Sequence, residues 1–101
     1  MSRKYYQQLA ERVNQRIGRR ALTAEKIESI INRARRIRAR HGVRALWNYA
    51  SGLPYELFTE REINLLRQSP EWHAVSYELI DVLIQKGVIT PWEAQFMKQY
   101  I

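Results

Sequence analysis

Six arginines crowd one short stretch of the chain: Arg33, Arg35, Arg36, Arg38, Arg40 and Arg44. A guanidinium carries a rigid fork of donors that grips phosphate or carboxylate oxygens in pairs and gives up its hydration at little cost. At 100° per residue of helix, Arg33, Arg36 and Arg40 fall within about 60° of one another. Arg44 extends the row if the helix runs on past Gly42. Arg12, Arg16, Arg19 and Arg20 make a second basic row nearer the N-terminus. No Asp or Glu stands between Glu28 and Glu56, where a merely solvated helix would interleave acids at i, i+4 for support. Cations in rows at helical spacing suit a phosphate backbone. The candidate nucleic-acid-binding residues are therefore Arg12, Arg16, Arg19, Arg20, Arg33, Arg36, Arg40 and Arg44. No helix-turn-helix spacing, zinc-finger ligand set or aromatic–glycine RNA-binding motif is present, so contact is expected to be to backbone and shape, on DNA or RNA. Tyr5 and Tyr6, beside Arg3 and Lys4, are placed either to stack on unpaired bases or to pack as core and rim of the first helix.

Arg38 differs from its neighbours. Its helical angle sets it within the stripe formed by Ile27, Ile30, Ile31, Ala34 and Ile37. A guanidinium buried there without a partner costs several kcal/mol, so it should meet a carboxylate or reach out to water.

Catalytic chemistry has little to work with. Arg36-Ile37-Arg38-Ala39-Arg40-His41 resembles the R-x4-H arrangement of HEPN-type helical ribonucleases. That likeness implies an Arg and a His that polarise the scissile phosphate and move its protons. The position after the Arg, polar in that family, is here Ile37. His41 otherwise reads as a residue of a helix C-terminus, favourably placed against the dipole. His73 stands alone, no carboxylate or histidine cluster has metal-ligand spacing, and no glycine-rich phosphate loop occurs. The chain is read as non-enzymatic, with no cofactor and no metal.

The elements that must position the arginines are legible as helices. Tyr6, Leu9, Val13 and Ile17 keep helical spacing up to a stop at Gly18. Thr23 caps a second helix, with Leu22 and Ile27 placed as a hydrophobic staple, and Gly42 ends it. Val43, Leu46, Trp47 and Ala50 mark a short third helix that gives out in the hinge-like Ser51-Gly52-Leu53-Pro54. Thr59-Glu60-Arg61-Glu62 is a capping box, and Ser69-Pro70 offers a cap followed by proline at the first helical position. Trp72, Val75, Leu79, Val82 and Leu83 then face inward until Gly87, and Thr90-Pro91-Trp92-Glu93 opens a last helix. No strand pattern or repeat occurs. The expected fold is all-α, a compact bundle of about five or six short helices forming one domain over 1–101.

Composition divides that domain. Of 17 Lys and Arg and 10 Asp and Glu, residues 1–44 hold thirteen cations against three acids, and residues 45–101 hold four against seven. The basic half suggests a binding surface, and the aromatic-rich second half suggests packing or assembly. Not every aromatic of so small a domain can be buried, so Tyr49, Tyr55 and Tyr100 are candidates for a protein-interaction patch. There are no cysteines, and no apolar run nears the roughly 18–20 residues that span a bilayer. The start of the chain has no apolar leader core. A cytoplasmic location without membrane contact is expected.

Leu83-Ile84-Gln85-Lys86-Gly87-Val88-Ile89-Thr90-Pro91-Trp92-Glu93 resembles the helix–Gly–hydrophobic-Ile-Thr–Glu–helix pattern of short C-terminal helical-hairpin (SHOCT-type) domains, over about a quarter of the chain. The first helix here is longer and more aromatic than that pattern. The resemblance implies self-association or contact with a protein partner. The sequence thus points first to a nucleic-acid-binding accessory or regulatory protein. Second is an adaptor or inhibitor of the phage and plasmid size class, docking its basic face on an acidic protein, and the ribonuclease is a remote third.

Overall fold

A computed structural model describes residues 2–99 of the chain, and these form five helices with no strand among them. They are α1 (Ser2–Ile17), α2 (Ala24–Leu57), α3 (Glu60–Arg67), α4 (Pro70–Gln85) and α5 (Pro91–Gln99). The all-α bundle expected from the periodicities is what forms. None of the described helices is long and apolar enough to cross a membrane.

Each helix from α2 onward starts where a local side chain satisfies its orphan amides. Thr23 Oγ1 accepts from the Lys26 amide at 3.1 Å, and Ser69 Oγ accepts from the Glu71 amide at 3.2 Å, with Pro70 opening α4. Thr59 and Glu62 close a reciprocal capping box, and Thr90 with Glu93 closes another. α4 ends in a Schellman turn: the Gly87 amide donates to the Ile84 carbonyl and the Val88 amide to the Leu83 carbonyl. Gly87 supplies the left-handed conformation this turn requires, at φ 72°. The α1–α2 connection is held by Asn14. Its side-chain oxygen accepts from the Ala21 and Leu22 amides, and its nitrogen donates to the Leu22 carbonyl.

The second helix departs from expectation in one respect. Gly42 breaks it as foreseen, with φ 87° and ψ 179°. Beyond the break, however, the chain stays helical through Ser51-Gly52-Leu53-Pro54 to Leu57, so this stretch is no hinge. Proline inside a helix removes a hydrogen bond and costs about 3 kcal/mol locally. The loss is offset by what the last turn delivers to the interior. Leu57 packs on the core, Phe58 is buried, and the Phe58 ring meets Trp72 edge-on at 6.4 Å. Leu46, just past the break, is also buried, at 3% exposure.

α1 lies at the centre, against α2, α3 and α4, while α5 leans on α4. Tyr6, Leu9, Ala10 and Val13 carry its buried face. Tyr6 is a core residue, which takes it away from any role in stacking on bases, and Tyr5 is half-buried beside it as a rim residue. Because α1 has neighbours on three sides, its polar flanks also meet other helices, and this decides the fate of its arginines.

Candidate nucleic-acid interface

Three of the arginines on and just after α1 are consumed within the fold. Arg12 donates to Glu71 and Glu78 of α4, both at 2.5 Å. Arg19 holds Glu62 of α3 through two nitrogens, at 2.7 and 2.8 Å, and also donates to the Leu57 carbonyl. Arg3 pairs with Glu25 and Glu28 of α2. Arg3 and Arg12 join α1 to α2 and α4, and Arg19 joins the connection after α1 to α3. Arg16 and Arg20 are exposed. Arg20 lies near Glu25, whose carboxyl sits below its ordinary range through its own backbone hydrogen bond first and the nearby Arg3 second.

Arg38 behaves as its place in the apolar stripe demands. Its guanidinium donates to the Glu93 carboxylate and to the Val88 carbonyl, tying α2 to the start of α5. The hydrogen bond from Arg38, together with the Thr90 amide, holds the Glu93 carboxyl below the usual carboxylate range against the opposing effect of burial. Arg35 donates to the Lys86 carbonyl at 3.0 Å, capping the end of α4.

The remaining α2 cations are different. Arg33, Arg36 and Arg40, with Ile37 and His41, line an open cleft of about 280 Å³. All three arginines are exposed, as is Arg44 beyond the break. Among the described residues none of the four forms an ion pair with a carboxylate. Seven of the ten acids are occupied by Arg3, Arg12, Arg19, Arg38 and Lys98, which leaves too few to neutralise this row. Arg33 faces Tyr49, whose hydroxyl is raised above its ordinary pKa by burial, an effect the guanidinium partly offsets. Sixteen residues along a straight helix would separate this pair by about 24 Å, so the break at Gly42 is what folds them together.

The interaction candidates also divide. Tyr49 is half-buried against the core. Tyr55 is 65% exposed, with its hydroxyl 3.5 Å from Arg67. Tyr100 lies outside the described residues. Two exposed aromatics that pack on each other were not among the candidates. Trp92 and Phe96, 68% and 43% exposed, meet edge-on at 5.2 Å on α5. A signal for them existed: Ala94 is buried and Met97 half-buried on α5, and an i, i+4 aromatic pair at 92 and 96 is out of phase with that inner face.

Arg36 and His41 both line the basic cleft. Separately, no group of three or more His, Cys, Asp or Glu among the described residues could hold a metal ion. Comparison of the chain with protein-family models, curated proteins and solved structures finds no match.

The ion pair from the α1–α2 connection to α3 makes a pH prediction. Arg19, aided by the Thr59 amide, lowers the Glu62 pKa from 4.5 to about 2. A depressed carboxylate contributes stability that is fully present above the unfolded value and is lost as pH falls through the folded one. Thermal stability should therefore decline between about pH 5 and pH 2. Glu62→Gln should lower the melting temperature at pH 7 and make that acid decline shallower. An acid limb of unchanged steepness in the variant, followed by circular dichroism, would remove Glu62 from the account.

Proposed function

We propose that this chain is a small, non-enzymatic nucleic-acid-binding accessory protein that grips phosphate backbone with the arginine row of α2. One observation carries the reading: Arg33, Arg36 and Arg40 are exposed around one cleft, Arg44 is exposed just beyond the Gly42 break, and none of the four forms an ion pair among the described residues, in a protein whose other arginines are mostly engaged internally. The residues assigned to the contact are these four, with Arg16 and Arg20 as outlying cations. Arg12 and Arg19 are assigned to holding the bundle together. The contact is electrostatic and reads charge spacing rather than base edges.

The test is a salt titration. Four phosphate contacts on duplex DNA give a log–log slope of affinity against salt of about −3.6, shallower than the full count of cations would produce. A slope near zero, or no binding at low salt, would hand the basic row to an acidic protein surface instead.

A further inference from the structure

A second groove, aromatic in lining, opens on the other side of Gly42 from the basic cleft. Immediately across Gly42, Val43, Trp47 and Ser51 of α2 face Trp92, Glu93 and Phe96 of α5 over an open groove of about 720 Å³. Arg40 and Val43 are three residues apart, at most about 11 Å between Cα atoms, so the end of the guanidinium row is close in space to the residue that opens the groove's α2 wall. Arg44 stands exposed on the same turn as Val43. The one acid lining the groove, Glu93, is already engaged by Arg38 and by the Thr90 amide. A polyanion entering here meets no uncompensated negative charge from the groove's own lining.

We propose that the groove takes unpaired bases, and hence that the polyanion recognised is a single-stranded nucleic acid. Phosphates lie along Arg33, Arg36, Arg40 and Arg44, and a base leaves the strand at the Gly42 break to stack on Trp92 and Phe96, with Trp47 as the opposite wall. This inference rests on the phosphate-binding reading above and specifies its substrate class. Charge complementarity chooses the occupant: an aromatic groove alone would suit many partners, but one whose α2 wall starts at Val43, between the exposed Arg40 and Arg44 in the chain, suits a polymer that alternates anionic and flat aromatic units. Stacking platforms beside a basic track are the usual means of holding single strands without sequence preference.

Fluorescence anisotropy would measure three labelled probes of equal length at fixed salt: oligothymidylate, an abasic strand with the same phosphates, and a duplex. Oligothymidylate should bind tightest. Trp92→Ala and Phe96→Ala should each weaken it about tenfold while leaving the abasic strand and duplex unchanged. Trp92 is exposed, so its replacement leaves the fold intact, and Trp92→Phe should restore most of the affinity. Equal binding of all three probes, untouched by either alanine variant, overturns the inference and leaves the phosphate row standing. Failure of all three to bind removes both. A concentration-dependent dimer in sedimentation velocity that Trp92→Ala dissolves would fill the groove with a second copy and also overturn it.

Discussion

Replacing Arg33, Arg36 and Arg40 together by glutamate should abolish nucleic-acid binding and leave the melting temperature almost unchanged. The three side chains lie exposed around one cleft and form no ion pair among the described residues, so their reversal breaks no internal salt bridge. Glu and Arg have similar helix propensities, and exposed substitutions away from packing or caps usually stay within about 0.5 kcal/mol. Inside the fold, the reversal gives up the approach of Arg33 to the Tyr49 hydroxyl. On the binding side, three attractive charges become repulsive. Affinity at low salt should fall on the order of a hundredfold or more, and the salt slope should shrink by about three. Arg12→Ala provides the opposite signature. It removes the link from α1 to Glu71 and Glu78, which at this partly exposed site is worth about 1 kcal/mol, and it should leave the salt slope where it was. Should the triple reversal bind as well as the parent while Arg12→Ala does not, the assignment of roles between the two rows is inverted.

Gly42→Ala should be the most damaging single methyl in the chain. With φ 87° and ψ 179°, Gly42 occupies a region that is essentially closed to residues bearing a Cβ. The added carbon would meet no other atom within 4 Å, so the penalty is backbone strain rather than a clash. About 2 kcal/mol or more is expected, a fall of roughly 10 °C in melting temperature for a chain of this size. Straightening into one continuous helix would relieve the strain but would pull Leu46 from the core and separate Arg33 from Tyr49. Gly52→Ala is the control. Gly52 lies inside α2 without a positive φ and with open space around it, so the same change there should stabilise by about 0.5–1 kcal/mol. Paired thermal melts decide the matter: equal shifts at the two positions would mean that the Gly42 break is not required by the fold.

Much of the architecture was open to inspection in the bare sequence because helix boundaries are set locally. Thr23, Thr59, Ser69-Pro70 and Thr90-Pro91 each satisfy amides within three residues of themselves, and Gly42 and Gly87 act through their own backbone. The need of Arg38 for a partner followed equally from its angle in the isoleucine stripe, although nothing local could say that the partner was Glu93, 55 residues away. Pro54 misled for a related reason. Its local cost argues for a stop, and only the burial of Phe58 and the packing of Leu57 explain why the helix continues.

The sequence by itself settled the all-α class, the helix starts and the concentration of cations in residues 1–44, since these depend on propensity, capping and composition. Tertiary structure alone decided which cations remain available. An ion pair between distant elements depends on which helix lies beside which. By placing α1 at the centre, the fold commits Arg12 and Arg19 to α4 and α3 and leaves the α2 row facing solvent. The aromatic groove is tertiary in the same sense: half of it comes from residues 43–51 and half from 92–96, and only packing brings those two surfaces together.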